Sequence, residues 1–171
     1  GRLRARGGGA HGAARCGRAR MFRLPVESDT AFEALNLSLV GWVLLAFAPR
    51  WRRTPAITLA IAAASSVLYV CLAVEGVLGG AGTQPEGAGF GSLQAVSALF
   101  SKERNVLAGW THYIAYDLLV ARGCVLDAQT RGVPWPLVSL LLPLFLMAGP
   151  VGLVAYLALA SFYPVRAPSR A

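Results

Sequence analysis

Residues 55–74 read PAITLAIAAASSVLYVCLAV, a run without a single charged side chain. As a helix rising 1.5 Å per residue it is about 30 Å long, the thickness of a bilayer's hydrocarbon core. Pro55 stands in the first turn, where a helix tolerates proline because that N–H has no partner in any case. The three hydroxyls in the run, Thr58, Ser65 and Ser66, can bond back to the helix. Ala60 and Ala64 add a small-xxx-small pair on which a second helix could pack closely. The rest of the chain has the same character: 56% of its residues are hydrophobic and 14% charged, against roughly 25% charged in soluble domains. The expectation is an all-α polytopic membrane protein, a bundle of about four transmembrane helices plus a short interfacial helix.

Working outward, residues 31–48 form a first span, closed by Pro49 and anchored by Arg50, Arg52 and Arg53, with Asp29 or Thr30 as its cap. A third span is expected over residues 105–126, its exit marked by Asp127, Gln129, Arg131 and Gly132. The last apolar run, residues 137–162, would make one helix of about 39 Å, so tilt or a kink at Pro143 or Pro150 must absorb the excess. Residues 76–91 read as a glycine-rich loop, since no Lys-Ser/Thr follows them as in a phosphate loop. Residues 92–100, with Leu93, Val96, Leu99 and Phe100 on one face, read as the interfacial helix.

The net charge of +8 suggests nucleic acid, but seven of the sixteen basic residues precede Glu27, the first acid. That is a basic tail without the aromatic residues that stack on bases. Residues 1–23 are therefore set apart as a disordered leader, either an organelle transit segment or sequence translated from upstream of Met21. Residues 24–166 are assigned to the membrane domain and 167–171 to a tail. Basic residues flank the spans five against five, leaving orientation open, and an even number of spans places both termini on one side. Cys16, Cys71 and Cys124 lie far apart and suggest neither a disulfide framework nor a metal site.

The third span is the unusual one, for it contains Trp110, His112, Tyr113, Tyr116, Asp117 and Arg122. Ionisable groups at membrane depth cost several kcal/mol, about 2.5–3.5 by insertion scales, and point to function. On a helical wheel Trp110, Tyr113, Asp117 and Cys124 form one stripe, and His112 with Tyr116 a second, about 100° away. Arg122 faces away from Asp117 and is expected to reach the interface. Asp117 is the candidate acid or base, with His112 or Tyr113 as proton donor. The competing expectation is that Asp117 bonds to Tyr113 and merely fixes helix register. No metal motif, dinucleotide fingerprint or nucleophile elbow is present, so no bound cofactor is expected.

These residues also carry a resemblance. SDTAF at 28–32, FAP at 47–49, LYV at 68–70, LAGWTHYIAYDLLVAR at 107–122 and AGPVGL at 148–153 resemble motifs of the ABA-deficient-four-like family of plastid membrane proteins. Trp110, His112, Asp117 and Arg122 match its W-x-H-x-x-A-x-D-L-F-x-x-R signature, and Pro150 and Gly152 its G-P-x-G-L block. Leu118-Leu119 replaces the family's Leu-Phe, and Ala155-Tyr156 stands where a Ser-His pair is expected, which removes a second proton carrier. The resemblance implies a multi-pass protein of a plastid membrane that converts violaxanthin to neoxanthin, a xanthophyll on the route to abscisic acid. With it, Asp117 and His112 are expected as catalytic groups, Trp110, Pro150 and Gly152 as substrate contacts and Arg122 as a structural residue, and the reading of the third span adds Tyr113 to the first set and Tyr116 to the second. The expected partners are a carotenoid, membrane lipid, and an accessory protein or second copy. The alternative is a non-catalytic carotenoid-binding protein that assembles with the true enzyme; a transporter would want ionisable groups on several spans.

Overall fold

The computed structural model describes residues 25–78 and 84–165. The basic leader and the C-terminal tail, with Leu24 and Arg166 at the edges of the expected domain, lie outside them. Among the described residues every regular element is a helix: α1 (Ser28–Leu35), α2 (Ser38–Phe47), α3 (Thr54–Leu78), α4 (Leu93–Leu99), α5 (Glu103–Arg131), α6 (Trp135–Met147) and α7 (Gly149–Ser161).

α1 and α2 make one rod with a tightened turn at Asn36–Leu37, where the amides of Asn36 and Leu37 bond three residues back, to Glu33 and Ala34. Glu27, and not Asp29 or Thr30, occupies the N-cap, and no side chain caps the helix. Two stretches, Ser28–Phe47 and Thr54–Gly76, are long and apolar enough to cross a membrane. Outward-facing Val43, Phe47, Val67, Val70, Leu140, Met147, Val154 and Leu157 are exposed, an apolar exterior that suits lipid and not water.

α5 is the spine. Its 29 residues span about 43 Å, and Thr111, Ala115, Leu118, Ala121, Val125 and Ala128 form its buried stripe. α3 packs along it with Thr54, Thr58, Ala62 and Ser65 inward. Ala60 and Ala64 are exposed, so the small-residue seam runs on a different face of α3 from the one their spacing suggested. Threonine and serine can line this seam because Thr58 and Thr111 return their hydroxyls to the carbonyls of Thr54 and Leu107, at 2.8 and 2.7 Å. α5 ends at Gly132, whose φ of 71° is the left-handed C-cap that favours glycine, and the Val133 amide closes it onto the Ala128 carbonyl. Ser92 caps α4 by accepting from the Ala95 amide.

The last apolar run is not one kinked rod. It breaks at Ala148, whose φ and ψ of −156° and 76° are not helical, and folds into an antiparallel pair of helices. α6 runs back along α5 until Leu146 meets Tyr113, and α7 returns until the Tyr163 carbonyl meets Arg131. Pro150 favours the break, since in a continuous helix it would have no N–H to give the Leu146 carbonyl and its ring would clash there, whereas it is well tolerated in the first turn of a new helix. Each arm has 13 residues, about 20 Å, too short to cross a 30 Å core alone. The arms meet closely at the turn: a Cβ on Gly152 would lie 2.7 Å from the Phe145 backbone nitrogen.

Candidate functional site

The two stripes of α5 face different neighbours. Asp117 turns toward the α6–α7 turn. One carboxylate oxygen abuts Gly149 so closely that a Cβ there would overlap it, and the Gly149 amide and Tyr113 hydroxyl are the hydrogen-bonding groups facing the carboxylate. The other oxygen, Oδ2, is buried without a partner. A carboxylate at the first amide of α7 satisfies a donor that no intrahelical carbonyl can reach and complements the helix dipole. The Leu146 carbonyl, 3.3 Å from the Tyr113 hydroxyl, is the other acceptor for its single proton and brings the end of α6 against α5. Trp110 stacks on Tyr113 at 5.5 Å between ring centroids and approaches Phe32 of α1 at 6.3 Å.

His112 is on the other side. Its ring stacks on Tyr116 at 4.4 Å and meets Tyr69 of α3 at 5.1 Å. It lines a cavity of about 380 Å³ between α3, α4 and the start of α5, walled by Tyr69, Leu72, Phe90, Leu99, Phe100 and Ala108, with Gln84 and Asn105 also in the lining. This lies within the usual range for small-molecule sites, about 300–1,000 Å³, and has their mainly apolar character. The volume suits one substituted ring, not a whole carotenoid.

The expected acid–base pairing is thus divided: Asp117 and Tyr113 are together, and His112 is apart from both. Of the expected substrate contacts, Tyr116 reaches the His112 side, whereas Trp110 is exposed beside α1, Pro150 is exposed and Gly152 is buried against Phe145. Arg122 reaches the end of α3: its Nε donates to the Pro55 carbonyl at 2.9 Å and fastens α5 to the first turn of that helix.

Sequence reasoning passed over Tyr69, Gln84 and Asn105. Tyr69 stood in one of the matched motifs; the two amides carried no local signal, because they meet only when residues 84 and 105 come together. It also took Asp127 as a mere end marker. Asp127 Oδ2 accepts from Arg131 Nε and from the Tyr156 hydroxyl, both at 2.6 Å. The i,i+4 spacing of Asp127 and Arg131 was the visible half of this cluster. Just beyond the expected span, these bonds, from Arg131 first and Tyr156 second, hold the Asp127 carboxyl below its ordinary range. Tyr156, in place of the expected histidine, therefore closes α7 onto α5. At the opposite end, Arg104 pairs with Glu75 at 2.9 Å and donates to the Val26 carbonyl at 3.0 Å, joining α5, α3 and the start of α1.

With this geometry in view, a family comparison is decisive: the model for the ABA DEFICIENT 4-like family matches residues 30–156. The chain belongs to the ABA DEFICIENT 4-like family. The match begins in α1 and ends at Tyr156, so it takes in the α5 spine, both of its stripes and most of the α6–α7 pair. No curated protein and no solved structure matches the chain. Family membership gives a role connected with carotenoid and abscisic-acid metabolism.

Proposed function

We propose that this member of the ABA DEFICIENT 4-like family is a multi-pass protein of a plastid membrane that rearranges the epoxide end group of a xanthophyll, converting violaxanthin to neoxanthin. The observation that carries the proposal is the apolar, ring-sized cavity beside His112, with the Tyr69 and Tyr116 rings against the imidazole. The reaction is an isomerisation. The C–H bond at the vinylic carbon breaks, its electrons form the new allene double bond, the adjacent epoxide C–O bond opens, and the oxygen takes up a proton. One proton leaves carbon and one reaches oxygen, so an imidazole that accepts and returns a proton serves both ends, and no oxidant is consumed. Asp117 and Tyr113 hold the α6–α7 turn against α5 and act on the site through the position of that helix.

In the bilayer, the α1–α2 rod, α3 and α5 are the three crossings, and α6–α7 is a re-entrant pair that enters and leaves by the Arg131 face. Its turn reaches about 20 Å into the core, and polar groups of its irregular backbone are met there by α5, with Asp117 at the Gly149 amide and Tyr113 at the Leu146 carbonyl, as irregular backbone at that depth requires. The two ends of the chain then fall on opposite sides, unlike in a four-span bundle.

Purified protein in liposomes, given all-trans-violaxanthin and followed by pigment chromatography, tests the proposal. A neoxanthin peak that disappears in His112→Phe is expected; violaxanthin bound but never converted by the purified chain refutes catalysis. That second outcome is the binding or accessory reading, favoured by one observation: His112 is the sole ionisable group besides tyrosine among the residues lining the cavity.

A further inference from the structure

The polar corner of the His112 cavity is an assembled hydrogen-bonding pair. Asn105 Nδ2 donates to the Gln84 Oε1 and to the Leu99 carbonyl, both at 2.7 Å, and Gln84 Nε2 donates to the Gly76 carbonyl at 3.0 Å. Each amide nitrogen faces a carbonyl oxygen, so the orientation of both amides is fixed by their partners. What remains is one donor proton and the acceptor capacity of the amide oxygens, chiefly a wholly unused oxygen. Asn105 Oδ1 accepts no hydrogen bond among the described residues, and one proton of Gln84 Nε2 is unused. Gly76 keeps the space between them clear: a Cβ there would stand 3.0 Å from Gln84 Nε2 and 3.8 Å from Asn105 Oδ1.

A free donor beside a free acceptor at the edge of an apolar, ring-sized cavity is complementary to a neutral hydroxyl carried on a ring, which needs one of each. A carboxylate or phosphate would find only one donor, and no cation among the lining residues. The depth agrees. Asn105 adjoins Arg104 and Lys102 at the headgroup end of α5, and His112 lies about 10 Å further along the helix. A hydroxylated ring entering from the membrane would keep its polar tip at the interface while its apolar body reaches the imidazole.

We propose that Gln84 and Asn105 bind the ring hydroxyl of the ligand and set its register against His112, so that a hydroxylated end group is selected over one without the hydroxyl. This specificity role rests on the carotenoid reading above, but its test does not require turnover. The full chain in phosphatidylcholine liposomes is titrated with violaxanthin and with the diepoxide of β-carotene, which has the same epoxide rings without hydroxyls. Quenching of tryptophan fluorescence reads binding, and chromatography reads conversion separately.

The expected result is at least about tenfold tighter binding of violaxanthin, with the preference falling to near one in Gln84→Leu and in Asn105→Leu while the diepoxide still binds. Retained diepoxide binding shows that the variants are folded; Gln84 lies in a loop, so its variant stands as the test if Asn105→Leu loses both pigments. Gly76→Ala, which fills the space in front of both amides, is expected to weaken violaxanthin selectively. Equal affinity of the wild type for the two pigments, or a preference unchanged in Gln84→Leu, overturns the proposal. A protein that prefers violaxanthin yet converts nothing supports it and sinks the isomerase reading instead, and one that converts both pigments equally overturns the selectivity alone.

Discussion

Replacing Gly152 with alanine puts the antiparallel packing of α6 and α7 under direct test. The added Cβ would sit 2.6 Å from Phe145 Cγ and 2.7 and 2.8 Å from its backbone nitrogen and Cα, where ordinary contact begins at 3.4 Å. Because two of the three contacts are backbone, rotation of the Phe145 side chain gives no relief, and the arms must separate by about 0.7 Å at this point. A gap of that order forfeits a quarter to a half of the dispersion energy of the contacts it opens. Phe145, Val138 and Leu142 of α6 and Tyr156 and Ala160 of α7 all belong to the buried core cluster affected. Overpacking of this kind costs about 1–3 kcal/mol, which for a chain of this size lowers the melting temperature by about 2–12 °C. Thermal unfolding in detergent micelles, followed by helical circular dichroism, reads the shift. Val154→Ala, two residues away on the opposite face and 68% exposed, serves as control and is expected to stay within about 0.5 kcal/mol of wild type. A Gly152→Ala protein that melts with the control would refute the close turn and return the last segment to a single rod.

Asp117→Asn keeps the side chain's shape but removes the negative charge facing the first turn of α7, so a loss of about 1–2 kcal/mol in the same melting experiment is expected, with violaxanthin binding retained; loss of binding at unchanged stability would instead place Asp117 in contact with the ligand. Asp127 makes an acid limb. Its folded pKa is depressed, so its contribution is complete above the unfolded value of about 3.9 and is lost as the pH falls through the lower folded value. Tyr156→Phe removes one of the two bonds that depress it, so the acid-induced loss should shrink, and an unaltered pH profile of melting would count against the pairing. For topology, single cysteines at Ser161 and Trp51 should label with impermeant maleimide from the same side of sealed vesicles, and a cysteine at Ser97 from the opposite side; Ser161 labelling together with Ser97 would mean that the α6–α7 segment crosses.

The fold class was legible because it rests on composition and local rules. Residues 55–74 could be nothing but a long apolar helix, Gly132 and the basic residues announced helix ends, and Ser92 placed the start of α4 within one residue. The break at Ala148 was not. Pro143 and Pro150 both interrupt the apolar run, and a sequence cannot say which of them merely bends a helix and which reverses the chain. Pro143 stays inside α6, whereas the reversal at Ala148 depends on Gly152 fitting against Phe145 and on Asp117 waiting for the Gly149 amide. Those are tertiary contacts, invisible to periodicity.

The helical wheel held more information than the assignment of roles drew from it. It divided the polar residues of α5 into a stripe with Asp117, Tyr113 and Trp110 and another with His112 and Tyr116, and the rings within each stripe do stack in the structure. A helix that crosses a membrane has no solvent in which to place a polar side chain, so each stripe needs a partner that accounts for it. For the first stripe that partner is the turn of α6–α7, where a helix N-terminus meets the Asp117 carboxylate at Gly149. For the second it is Tyr69 and a cavity, an unfilled volume bounded by a titratable ring and two amides. The same matched stretch therefore contains one half that ties α5 to the α6–α7 turn and one half that faces a cavity. Matching the motif could not separate them, because the two stripes are interleaved along one helix and only packing decides which neighbour each face meets.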